Sequence, residues 1–312
     1  MEIKSIEADF VCDISRELAE GELVAFSCQN NRQVIFATAQ KELDYREERS
    51  HGSFAKTTSK AGQDYSVYLV NEDQSILLCD VVNEPYNIHF AQLLGNDSLL
   101  LSCARSRYKN QDKFDHNGRL YSLDGKFQSE LLLGDGIQDL QVSSRGVIWT
   151  SYFDEGVLGN YGWDNPVGAS GLIAWDKLGR KRYEYNPEQG LDHILDCYAF
   201  NLEADEIAWF YYYTEFQLVK IKGYQVVDYW NIPVSGSDSF AVYRNFALFH
   251  GGYDDKEHLY LVQLKQDHKA KTLYKIQLTN ISVLDWVIAR GDTMFILSGD
   301  MIYKVELARL LG

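Results

Sequence analysis

Six polar residues recur at one kind of place in this 312-residue chain, about seven positions ahead of a short turn. They are Glu22, His89, Asp139, Asp196, Asp238 and Asp285, and the turns fall near residues 31, 96, 145, 205, 245 and 291. Three of the aspartates share a local pattern: Ile137-Gln-Asp139, Ile194-Leu-Asp196 and Val283-Leu-Asp285. Carboxylates that converge repel one another and raise each other's pKa. Relief would come from a divalent cation such as calcium, which takes oxygen ligands. A basic group on a ligand, or water and backbone amides, would serve equally. An aspartate at a corner also accepts backbone N–H bonds as an Asx-turn, which is the purely structural account of the same residues. Tyr86 and His193 each stand just before one of these positions and are expected on the same rim.

A second group lies in the longer polar stretches. Arg105, Arg107, Tyr108, Lys109, Lys113 and His116 form a local basic patch in an acidic chain. It reads either as a solvated loop or as an anion contact. The segment Phe153–Ser170 mixes four glycines with Tyr161, Trp163, Asn160, Asp154, Glu155 and Asp164. Glycine permits unusual turns, and the aromatics give flat contact surfaces with a polar handle. The same composition suits a self-packed Ω-loop. In Trp209–Glu215, strand alternation puts Tyr211 and Tyr213 on one side and Tyr212 on the other. The binding candidates are Tyr86, Arg105, Arg107, His116, Asp154, Glu155, Asn160, Tyr161, Trp163, His193, Tyr211 and Tyr213.

No catalytic residue is assigned. The chain has no His-Glu-x-x-His, Gly-x-Ser-x-Gly, phosphate loop or dinucleotide glycine fingerprint. His250 and His116 have no recognisable serine or cysteine partner. Leu133-Gly-Asp-Gly136 lacks the spaced acids of a calcium loop and reads as a turn. The five cysteines, Cys12, Cys28, Cys79, Cys103 and Cys197, sit singly in apolar strand patterns, away from metal-ligand spacing. They read as buried reduced thiols.

The elements that position these residues repeat. An apolar strand runs into a polar or glycine turn and a second strand runs back, six times: Leu23–Phe36, Ile88–Leu101, Ile137–Trp149, Ile194–Phe210, Phe240–Phe249 and Leu284–Leu297. Each of the first five pairs is followed by two more strands. In the third repeat these are Gly171–Asp176 and Lys181–Asn186, joined by a turn with glycine at 179. A repeated four-strand meander is the signature of a β-propeller. The chain is therefore expected to be all-β, one propeller over residues 1–312 with six blades, or seven if the wide first interval hides another. Within each blade the strands are a, b, c and d from the axis outward. Tyr65–Val70 and Ser75–Val82 complete blade 1, leaving Lys41–Asp64 as a polar loop. The last blade has three strands, so Glu2–Val11 is predicted to pair antiparallel beside Met301–Leu307 and close the ring. Asp13–Ala19 is expected to be a helical or irregular link. Antiparallel order puts all b–c connections on one face. The three long ones, Gln40–Asp64, Arg105–Asn117 and Phe153–Ser170, come from blades 1, 2 and 3, and that face is the expected binding surface.

The net charge is −15, with 30 Lys plus Arg against 45 Asp plus Glu. That field disfavours nucleic acid and anionic membrane surfaces as partners. The first residues lack a basic leader and an apolar core, which with the cysteines points to the cytoplasm.

Arg145-Gly-Val-Ile-Trp149 and Gly171-Leu-Ile-Ala-Trp-Asp176 give blade 3 a glycine turn leading into Ile-Trp, then a Gly-Leu strand ending in Asp. This resembles the repeat of bacterial sensor propellers and of lyase-like or lactonase-like propellers. With Ser151-Tyr-Phe-Asp-Glu-Gly156 and Tyr212-Tyr-Thr-Glu-Phe216, the whole chain looks like uncharacterised bacterial six-bladed propeller proteins. The resemblance implies the fold and carries no activity. Six-bladed lactonases hold a metal in the channel with Glu, Asn and Asp, but no residue here aligns with their motifs. The expected function is non-enzymatic binding of a protein or small ligand on the long-loop face, without a cofactor. The alternative is a metal-dependent hydrolase or lyase using the six channel-mouth residues.

Overall fold

The computed structural model describes residues 2–40, 42–50, 52–188 and 190–312. Six small antiparallel sheets stand around an axis as a six-bladed β-propeller. Lys41, which opens the polar stretch expected in blade 1, lies outside the described residues. Blade 1 is Glu22–Cys28, Val34–Ala39, Thr58–Asn71 and Gln74–Tyr86. Blade 2 is Phe90–Leu94, Ser98–Ser102, Gly118–Ser122 and Phe127–Leu131. Blade 3 is Ile137–Val142, Ile148–Tyr152, Leu172–Trp175 and Lys181–Glu184. Blade 4 is Asp196–Ala204, Ile207–Tyr213, Gln217–Lys222 and Gln225–Asn231. Blade 5 begins Phe240–Tyr243, Phe246–His250, Leu259–Leu264 and Ala270–Leu278, and blade 6 begins Trp286–Arg290, Thr293–Ser298 and Met301–Glu306.

Period-2 alternation explains the stacking. Ala208, Phe210 and Tyr212 of one blade 4 strand enter the core shared with blade 3. Their neighbours Trp209 and Tyr211 enter the core shared with blade 5. A strand buried on both faces has no polar side, so it reads as a continuous apolar run. Six such cores, one per blade junction, carry the ring.

Ring closure differs from the expectation in one respect. Asp9–Asp13 pairs antiparallel with Met301–Glu306, with Phe10 opposite Tyr303 and Asp13 opposite Met301. Ile3–Ile6 does not join blade 6. It adds a fifth, parallel strand to the outer edge of blade 5, with Ile3 opposite Lys275 and Ile6 opposite Leu278. The passage between the two is fixed by Asn280, whose side chain accepts from the Ala8 N–H at 3.0 Å and donates to the Ala8 carbonyl at 2.9 Å. The apolar residues that secure this segment are also different. Ile3 and Phe10 are exposed, whereas Ala8, Cys12 and Ile14 are buried. The link to blade 1 is the helix Ser15–Glu20.

The blade 1 loop is shorter than expected, because strand c starts at Thr58. Between strands b and c the chain makes a small hairpin, Arg46–Arg49 with Gly52–Ala55. The blade 2 connection makes another, Tyr108–Asn110 with Lys113–Phe114. Blade 3 inserts the short helix Asp154–Leu158. All five cysteines are free and buried. Among the described residues, no helix is long and apolar enough to cross a membrane.

Candidate functional site

The three long connections are joined to one another. The Tyr161 hydroxyl of the blade 3 loop donates to the Ala55 carbonyl of the blade 1 hairpin. The Trp163 indole donates to the Ser106 carbonyl of blade 2 at 2.8 Å, and its ring packs 4.9 Å from Tyr108. Arg105 lies beneath them. Its guanidinium meets Asp135 in a two-pronged pair at 2.9 and 2.8 Å, reaches Glu155, and stacks 4.1 Å from the Tyr161 ring centre. Asp135 is the acid of the segment read as a simple turn. It is 2% exposed and also accepts the Ser106 N–H at 2.7 Å. Gly136 and Gly156 let two backbones touch here, where a Cβ on either would collide with the other chain. Arg105, Glu155, Tyr161 and Trp163 therefore bind the loops together with their own polar atoms. Sequence reasoning missed Asp135, and the one available signal was an acid between glycines near a lone loop arginine.

The other loop candidates are scattered. Arg107 stands 5.6 Å over Tyr161, and Asp154 and Asn160 are exposed, each accepting the next residue's N–H. His116 faces Glu130 at 3.4 Å. Tyr86 lies under Arg119. His193 is exposed, and Tyr211 is fully buried with its hydroxyl donating to the Val234 carbonyl.

At the axis lies a cavity of about 420 Å³ lined from all six blades. Its wall includes His89, Asp139, Asp238 and Asp285 from the recurrent polar set. Glu22 and Asp196 start their strands outside it: Glu22 is exposed opposite Ala39, and Asp196 pairs with Tyr213. Aromatic rings of Phe26, Phe90, Phe200, Tyr198 and Trp286 complete the wall. Asp139 accepts the Leu140 N–H at 2.7 Å and the Gln141 amide at 2.9 Å, and burial pushes its pKa up to about 6. Asp285 accepts the Gly299 N–H at 2.7 Å. Asp238 holds the His250 Nδ1 at 2.6 Å, while His250 Nε2 lies 3.0 Å from the Lys256 carbonyl. A carbonyl only accepts, so Nε2 carries a proton. His89 Nδ1 accepts the Ala104 N–H, and burial lowers its pKa to about 4, which leaves the ring neutral at pH 7. Among the described residues, no three of His, Cys, Asp and Glu come together closely enough to hold a metal ion.

Buried amides on strands a tie the blades together around the axis. Gln92 bridges the Cys28 carbonyl and the Val142 N–H. Gln141 reaches Phe200 and Ala289 carbonyls and accepts the Leu202 N–H. Asn201 ties Phe240 to Gly291. Buried Arg290 crosses from blade 6 to Gln141 and the Val142 carbonyl of blade 3. Side chains thus supply the hydrogen bonds that edge strands facing a channel lack.

Beside the mouth, Tyr198 and Tyr253 share a hydroxyl hydrogen bond. Phe216 packs edge-on 5.7 Å from Tyr198 and 5.9 Å from Tyr253, and Tyr213 lies 5.7 Å from Phe216. Tyr213 and Tyr253 are 41% and 55% exposed, so the cluster is an aromatic shelf open to solvent.

No curated protein matches the chain. Residues 170–305 match the model of the YxzG family. That span runs from the third strand of blade 3 through blade 6 and begins where the last of the three long connections ends.

Proposed function

We propose that this protein is a binding propeller that takes its ligand at the axial mouth on the face of the b–c connections. The ligand is a small molecule, or a side chain presented by a protein. One observation carries the reading: an axial cavity of about 420 Å³, within the size range of small-molecule sites, walled by aromatics with a few polar groups. The propeller supplies a rigid frame for it, as scaffolds with loop-borne sites commonly do. The test uses Ala104→Phe, which places a ring in the cavity from a half-buried wall position. Native mass spectrometry of the protein taken directly from cells, and a thermal-shift screen of charged and neutral small molecules, would identify binders. Binders should be lost in Ala104→Phe while its unliganded melting curve is kept. Binding that ignores the substitution would overturn the reading.

A further inference from the structure

Resting on that reading, we infer that the cavity takes a small organic cation with N–H donors, a primary ammonium or guanidinium. The polar wall carries three carboxylates, Asp139, Asp238 and Asp285, against one lysine, Lys256, which is exposed. Asp139 and Asp285 have no ion-pair partner among the described residues, and Asp238 has only His250. Buried Arg290 attracts Asp139, but its guanidinium is engaged by Gln141 and the Val142 carbonyl.

A second observation is independent of the acids. Ser27 and Ser239 line the same cavity. Both residues are more than nine-tenths buried, at 7% and 5% exposure. Neither hydroxyl has a hydrogen-bond partner among the described residues. Neither oxygen is sealed from the cavity, so both are free to accept hydrogen bonds from a ligand's N–H groups. The aromatic wall separates an organic cation from a bare metal ion. Aromatic residues such as Trp286, Phe26 and Tyr198 in the wall suit a cation with an aliphatic stem, which an oxygen-seeking ion does not need.

The probes are putrescine and agmatine, with 1,4-butanediol as the neutral counterpart and succinate as the anionic one. Affinities are measured by calorimetry for wild type, Asp139→Asn, Asp285→Asn and Ala104→Phe. At least one cation should bind, weaken tenfold or more in one or both aspartate variants, and be lost in Ala104→Phe, with the diol and the diacid silent. Asparagine at 285 can still accept the Gly299 N–H, so that variant is expected to fold if Asp139→Asn does not. Diol or succinate binding that Ala104→Phe abolishes would overturn the cation assignment and keep the cavity as a binding site. Cation binding that survives Ala104→Phe would be adhesion to an acidic surface and would overturn it. Absence of binding by either cation at millimolar concentration also overturns it.

Discussion

Blades 1 to 3 and blades 4 to 6 face one channel with opposite kinds of surface. The first half carries long connections whose charges and hydroxyls are satisfied by each other: Arg105 by Asp135 and Glu155, Tyr161 by Ala55, Trp163 by Ser106. The second half has short connections and leaves chemistry open: Asp285, Ser239 and the Tyr198–Tyr253 shelf. Long loops are where function is usually sought. Here their length builds a wall, and the cavity groups open to a ligand come from both halves, Ser27 and Asp139 from the first and Ser239 and Asp285 from the second. The YxzG-family match covers that plainer half together with the outer two strands of blade 3.

The sharpest break in the comparison is at the seam of the plain half. Removing residues 1–13 would strip the outer strand from blade 6 and the fifth strand from blade 5, exposing two apolar edges. The protein should aggregate or lose its cooperative unfolding transition. Removing only residues 1–6 should leave a folded ring with a lower melting temperature. A 1–13 deletion that melts like the full chain would show that the closure is dispensable.

On the walled half, Arg105→Ala strands Asp135 without its cation. The expected loss is about 3–5 kcal/mol in urea unfolding, the usual consequence of breaking a buried pair. Hydrogen exchange should rise through residues 153–170. A loss under about 1 kcal/mol would mean the loops are not held from below.

The cavity acids give a pH signature. Burial raises the folded pKa of Asp139 to about 6, above the ordinary carboxylate range, so the folded state binds the proton more tightly. Its contribution to stability is therefore lost as pH rises from about 4 through about 6. His89, lowered to about 4, contributes with the opposite sign over the same window, and Asp196, raised to about 6, with the same sign as Asp139. Asp238, Asp285, His250 and Lys256 also line the cavity, and buried Arg290 acts on Asp139 in the lowering direction. The informative curve is the difference between Asp139→Asn and wild type. The variant should gain roughly 1–2 kcal/mol relative to wild type between pH 4.5 and 7.5, allowing for water in the cavity. A flat difference curve would mean that Asp139 is solvated like a surface carboxylate.

The smallest expected effect is on the shelf. Tyr253→Phe removes one hydroxyl bond to Tyr198 from a half-exposed ring and should cost about 0.5–1 kcal/mol at most. Trp163→Phe, which removes the indole bond to Ser106 inside the wall, should cost more.

The blade pattern was legible because each strand pair alternates around a turn with its own chemistry, and six repeats reinforce one another. Closure by the N-terminal segment was legible from the missing strand. Its split between two blades was not, since Ile3–Ile6 carries no mark that distinguishes an added parallel strand from an antiparallel one. Four of the six recurrent polar positions reached the cavity, because start-of-strand position is encoded by spacing. Glu22 and Asp196 did not. Both strands carry a bulge just past these residues, which re-aims the residue at its end. Tyr161 and Trp163 looked equally fit for a ligand or a neighbouring loop, because composition does not say what stands opposite. The shelf joins residues from three separated segments, and only tertiary packing brings Tyr198, Phe216 and Tyr253 together.

The split N-terminal segment also sets an order on biosynthesis. Residues 3–13 are made before their partners at 270–306, and the ion pair Asp9–Arg309 joins positions 300 apart. During translation this segment waits with its backbone groups unpaired, and blades 5 and 6 remain incomplete until the ribosome has delivered nearly every other strand. Contacts of such separation make folding slow and leave edges open to other nascent chains. The polar, charge-dotted faces of Glu2–Asp13 are what a segment in that position needs to stay soluble while it waits.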